Sequence, residues 1–314
     1  MTGPEFSGPQ TSAAGAAPGG GAPLTVGYSG SEASRAALRW ALREAQTWGC
    51  GLDVVAVDPP NLLGLPRMPG GHVTGASSTV REALAEQRRS SGGREPDVVV
   101  RSVRGDPAVA LMDAAAGSRV LVLGAGRRLG PLGFGSGRVL RGGVRNCPCP
   151  LVVVGPAVVD APVRQLLVMA DDDEAVGRWA ALRARTGRVR ARVVTPWGVG
   201  PLRLIDHDSE RSRAHEEALS RHRRTATALD AVLRRPARSE LAEGRLRDVL
   251  QHRAVAGDLV VLGRVGLHDV PVRSLPAPVA IVPPQYAGLG GYRMISLPGD
   301  RTLTLPAEPV PQER

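Results

Sequence analysis

A chain of 314 residues, 42% hydrophobic and 22% charged, carries enough apolar material for two ordinary cores. Its net charge of +10 comes from arginine alone, because all 40 basic residues are Arg and lysine is absent. That absence excludes a P-loop lysine, a kinase-type phosphate lysine and Schiff-base chemistry.

In chain order, residues 1–22 are mostly Gly, Ala, Pro and Ser and read as a disordered tail. The apolar run LTVGYS follows as a strand. Next comes a helix whose apolar residues Leu38, Ala41, Leu42, Ala45 and Trp48 share one face, with Ser31 placed to cap its start and Gly49 its end. LDVVAV is a second strand, followed by a Pro- and Gly-rich loop and a helix beginning near Thr79, where Thr79-x-x-Glu82 has capping-box spacing. Then come the strand DVVVRSV, a helix entered through Asp106-Pro107, the strand VLVLG, a short helix from Ser136 and the strand LVVV. Five apolar strands alternating with four helices are the signature of a parallel sheet covered on both faces.

A second set follows in the same order: the strand QLLVMA, a helix from Asp173, the strand VRARVV, a long polar helix over 209–234, the strand SELAE, the helix RLRDVLQHRAVA, LVVLG and VAIV. The two sets share an internal echo. Gly105 precedes Gly124 by 19 residues, and Gly244 precedes Gly263 by the same interval. Likewise Cys147-Pro148-Cys149-Pro150 corresponds to Leu275-Pro276-Ala277-Pro278. Between these landmarks the copies diverge: Gly124 to Pro150 spans 26 residues and Gly263 to Pro278 only 15, so the second copy has no room for a fourth helix. The domains are therefore expected at 23–156 and 162–283, with 284–314 as a second disordered tail. The last strands, LVVVGP and VAIVPP, are candidate edges for pairing the halves.

Charge is spread evenly, with 16 Arg against 10 acidic residues in 23–156 and 21 against 15 in 162–283. Without a basic arm or interleaved aromatic residues, no nucleic-acid partner is expected. The N-terminus lacks the basic and apolar regions of a signal peptide, and no apolar run approaches the ~20 residues of a membrane span. A cytoplasmic location is the expectation. Three cysteines without metal-ligand spacing argue against a zinc site or disulfide framework. His207, His215 and His222 fall at intervals of eight and seven, only the last two able to share a face of the polar helix, and read as solvated side chains. No nucleophile, base and orienting acid come together in the sequence, so no catalytic residue and no metal site are assigned and the chain is not expected to be an enzyme.

The first copy resembles the universal stress protein family through VGYSGSEASRAALRWALREA, RGDPAVALMDAA and LVLGAGRRLGPLGFGSGRVL followed by CPCPLVVV. The resemblance implies two tandem doubly wound five-stranded parallel-sheet domains of strand order 3-2-1-4-5, the adenine nucleotide alpha hydrolase-like fold, with a degenerate second domain. It further implies an ATP site in the first domain only, with Mg2+ accompanying the nucleotide, in a binding or regulatory protein of the stress response. The implied cofactor-binding residues are Ser29, Gly124, Gly126, Arg127, Gly135 and Ser136.

Two departures from the family pattern bear on that site. The loop reads G-x-G-x8-G-S where ATP-binding members carry G-x2-G-x9-G-[ST], and Ser29 stands where they carry an aspartate. Asp171 fills that position in the second copy, but Asp171 to Glu174 are consecutive acids that repel phosphate and favour a helix N-terminus. The loop is thus either a nucleotide site or a tight connection without a ligand. The alternatives are a structural or protein-interaction module and a slow ATP hydrolase. The expected assembly is an intramolecular pseudo-dimer of the two domains, leaving room for a further homodimer.

Overall fold

The computed structural model describes residues 21–58, 71–90, 95–126, 136–198, 207–233, 237–264 and 270–284. The expected tails therefore lie almost wholly outside the described residues.

Strand β1 (Leu24–Tyr28) is buried along its whole length, as a central parallel strand must be. Helix α1 (Glu32–Trp48) starts where the Ser31 hydroxyl accepts the amide of Ser34, and it stops at Gly49, whose φ of 62° is left-handed. Strand β2 (Leu52–Asp58), helix α2 (Gly71–Ser90) and strand β3 (Val98–Arg104) follow. The Asp106 carboxylate caps α3 (Pro107–Ala115), which leads to β4 (Val120–Gly124), α4 (Ser136–Asn146) and β5 (Leu151–Val154). The second half repeats this order with β6 (Gln165–Met169), α5 (Glu174–Gly187), β7 (Arg190–Trp197), α6 (His207–Leu233), β8 (Arg238–Glu243), α7 (Leu246–Arg253), β9 (Asp258–Gly263) and β10 (Val279–Val282).

Two local expectations are corrected. Thr79 lies well inside α2, where its hydroxyl donates to the Gly75 carbonyl at 2.9 Å instead of capping a helix start. The polar turn-like residues before it had concealed the first two turns. Helix α7 is shorter than its sequence pattern, because Arg245 supplies no side-chain cap and Ala254 is already extended.

All ten strands form one sheet in the order β3-β2-β1-β4-β5-β10-β9-β6-β7-β8. The first half thus has the order 3-2-1-4-5, and the second mirrors it. Every pairing is parallel except that of β5 with β10, which is antiparallel and joins the halves. The register at this seam places Val152 opposite Ala280, flanked by Val153 opposite Val279 and Leu151 opposite Ile281. The second residues of the two strands face one another and the first of each faces the third of the other, so a local two-fold axis passes between Val152 and Ala280.

The composition predicts two cores, one per half, yet the two clusters are divided by sheet face. One gathers α1, α2, α5 and α6 residues such as Leu38, Val80, Trp179 and Leu229. The other gathers α3, α4 and α7 residues such as Leu111, Val144 and Leu250. Each runs across the seam, because β5 and β10 present both faces continuously: Val152 and Ala280 join the first cluster, Val153 and Ile281 the second.

Candidate functional site

In a doubly wound sheet the chain leaves β1 towards β2 on one side while β4 lies on the other, which opens a crevice beyond the carboxyl ends of β1 and β4. Val26 is paired with Val122, so the ends of these strands, Ser29 and Gly124, reach the same edge. Ser29 is exposed. Its hydroxyl lies 3.0 Å from that of Ser31, which caps α1. This rim supplies hydroxyl groups, which pair with ribose or phosphate oxygens, but no carboxylate to ligate a metal.

The opposite rim is built by Gly124, Ala125 and Gly126. The Ala125 amide donates to the Val154 carbonyl at 2.8 Å, and the Gly126 amide turns back to Gly124 at 3.2 Å. Gly124 is required by close approach: a Cβ there would fall 2.3 Å from the Ala33 carbonyl oxygen and 2.9 Å from the Ser34 nitrogen. The first turn of α1 therefore packs directly on the end of β4.

Of the six residues assigned from the sequence, Ser29, Gly124 and Gly126 stand together at this crevice. Ser136 opens α4, with its side chain outside the described residues, as Arg127 and Gly135 are altogether. A helix N-terminus with free amides is a suitable place for a phosphate. One residue escaped the sequence reading. Tyr28 is buried, and its hydroxyl lies 2.9 Å from that of Thr79 and donates to the Gly75 carbonyl at 3.2 Å, tying α2 to the end of β1. A lone tyrosine closing a buried strand was the available signal.

The equivalent crevice of the second half is filled by its own side chains. A Cβ on Gly263 would fall 2.3 Å from Asp171 Oδ2, so the carboxylate occupies the space over that glycine. Asp171 Oδ1 accepts the Asp173 amide at 3.0 Å, and its backbone is clasped by the Thr225 hydroxyl. Burial pushes the Asp171 carboxyl up, and the charges of Asp172 and Asp173 push the same way. Asp173 caps α5 through the Ala175 amide at 2.8 Å, and Asp172 pairs with Arg224. The acidic run is thus consumed by local structure.

Beyond β9, Arg264 turns away from the crevice and donates to the carbonyls of Arg145 (3.0 Å) and Cys147 at the end of α4, where a cation suits the helix dipole. Cys147 and Cys149 are buried beside it, with sulfurs 3.7 Å apart, as small apolar residues at a strand entrance would be. Residues 270–278 reach β10 without a helix.

The histidine reading is corrected. His215 and His222 lie on the half-buried inward side of α6: His222 Nδ1 is 2.8 Å from the Thr195 hydroxyl, and the His215 ring meets Trp197 edge-on at 4.7 Å. Arginines and acids on the outer side of α6 had made the whole helix look solvated. Among the described residues no cluster of three or more His, Cys, Asp or Glu is arranged to hold a metal ion, and no helix is long and apolar enough to cross a membrane.

The sheet order and the β1/β4 crevice define a doubly wound α/β protein. Residues 23–155 match the model of the universal stress protein family, so the first half is a domain of that family. Among solved structures, a universal stress protein from Archaeoglobus fulgidus DSM 4304 is 16% identical, with 85% of this chain and 97% of that chain covered and a TM-score of 0.54. That likeness extends the fold over both halves. A universal stress protein from Lactobacillus plantarum is 19% identical over 42% of this chain and 97% of its own, with a TM-score of 0.31. A universal stress protein in complex with cAMP is 20% identical over the same shares, with a TM-score of 0.32. No curated protein matches the chain.

Proposed function

We propose that the chain is a non-catalytic regulatory protein of the stress response whose first half binds one adenine nucleotide and whose second half serves as its built-in partner. The observation that carries this reading is the contrast between the two crevices. At the first, the β1 rim presents the neutral hydroxyls of Ser29 and Ser31; at the second, Asp171 fills the space over Gly263, and the consecutive acids from Asp171 to Glu174 repel phosphate. In the bound state the glycines of the β4 rim admit the phosphates, the amides at Ser136 receive them, and Ser29 hydrogen-bonds the ribose. Arg127 adds positive charge. Magnesium enters with the phosphates, since the β1 rim offers it no carboxylate.

Pairing of the halves follows from the seam. The β5 edge is already occupied by β10, so a solitary chain has no free strand there for a second copy. The reading is tested by melting the protein with millimolar ATP and Mg2+, because a ligand of the folded state raises the melting temperature. A rise supports the nucleotide site. No rise favours the second reading, an interaction module without a ligand, for which the missing carboxylate at Ser29 speaks. Conversion of ATP to ADP over hours would instead make the protein a slow hydrolase.

A further inference from the structure

The local two-fold at the seam relates α1 to α5, which start at the equivalent residues Glu32 and Glu174. Under it, Glu44 is the counterpart of Thr186 and Arg183 the counterpart of Ala41. Glu44 and Arg183 meet across the axis: the guanidinium donates through Nε to Glu44 Oε1 and through Nη2 to Oε2, the latter at 2.8 Å. Trp48 Nε1 adds a third bond to Oε1 at 2.8 Å. Both charged side chains are almost completely buried, at 3% and 1% residue exposure, so neither can fall back on water.

Symmetry would place a second such pair between Thr186 and Ala41, and those residues carry no charge. The seam is therefore built for unlike halves. Gly187 extends the asymmetry, since a Cβ there would lie 2.0 Å from Arg183 Nη1; its counterpart in α1 is Ala45. The connection between the halves closes over the charged side only, where Asp160 pairs with Arg43 and lies 3.3 Å from Arg39 Nε.

We propose that Glu44, Arg183 and Gly187 make the α1 face of the first half specific for the α5 face of the second half and reject a second copy of itself. If two first halves paired through this seam, each Glu44 would face Ala41 of the other copy; if two second halves paired, each Arg183 would face Thr186. Orphaning a buried ion in this way costs on the order of a hundredfold or more in the pairing equilibrium. Such built-in mismatches are how interfaces exclude wrong partners. The inference rests on the reading of the second half as the built-in partner.

The test moves the arginine to its symmetry-related place in the full chain, as Arg183→Ala with Ala41→Arg. Two first halves then offer each other two Glu44–arginine pairs across the seam, while the native arrangement offers none across it. Light scattering should give a monomer for the wild type and twice its mass for the transplanted variant; a variant that stays monomeric overturns the proposal. If the variant does not fold, the exchange Glu44→Arg with Arg183→Glu decides, because it keeps the unlike pair. It should be monomeric and melt above either single variant, and a double variant no better than the singles overturns the proposal. A wild type that dimerises through the β5–β10 seam would instead contradict the built-in-partner reading itself; a homodimer through another surface would not, and the transplanted variant should then double that mass.

Discussion

Asp171 lies over Gly263 so closely that its carboxylate takes the place of a side chain the glycine does not have. Burial raises its carboxyl above the ordinary value of 3.8, helped by Asp172 and Asp173. The folded protein then holds this proton more tightly than the unfolded chain, so its stability contribution is greatest below pH 3.8 and falls as pH rises through the raised value. Asp171→Asn should raise the melting temperature at neutral pH, with the gain fading as pH drops below 3.8. Equal melting of the two proteins at pH 7 would show that the buried charge costs nothing.

The two motif glycines should respond differently to alanine. At Gly124 the new methyl group meets the backbone of Ala33 and Ser34, which cannot yield without moving α1; at Gly263 it meets the end of a side chain. Gly124→Ala is expected to cost about 1–3 kcal/mol, as overpacking does, and Gly263→Ala less. Urea unfolding of both variants measures the difference.

Removing one ion of the seam should be costly and removing both should not. Arg183→Ala leaves Glu44 buried with, among the described residues, only the Trp48 indole as donor, and breaking such a pair costs about 3–5 kcal/mol. The paired exchange of Glu44 and Arg183 to leucine removes both charges together and should recover most of that loss in the same assay.

On the proposed reading, Ser29 limits the affinity of the first crevice for ATP. A carboxylate there forms stronger, charge-assisted hydrogen bonds with ribose hydroxyls and can ligate magnesium. Ser29→Asp should therefore tighten binding of ATP with Mg2+ by about tenfold, equivalent to about 1.4 kcal/mol. Calorimetric titration of the two proteins side by side gives the ratio.

Most of the scaffold was legible because each element carried its own local signal: the Ser31 and Asp106 caps, the left-handed Gly49, the continuous apolar strands. The shortened segment after Gly263 likewise disclosed the missing helix. What sequence could not show depended on which chain segments meet. Nothing local marks the core as divided by sheet face, or Glu44 as the partner of an arginine 139 residues away. The acids from Asp171 to Glu174 were readable as helix-start residues, but that Asp171 fills the space over Gly263 emerges only when β6 is set beside β9. At the first crevice the sequence brought Ser29, Gly124 and Gly126 to one place, while Tyr28 was overlooked because its partners lie in α2, whose start the sequence misplaced.

The account turns on one nucleotide site per chain. Titrating the full-length protein with ATP and Mg2+ in a calorimeter should give a single site, weakened by Ser136→Ala and unaffected by Asp171→Asn. Two equivalent sites, or no binding at millimolar nucleotide, would contradict it.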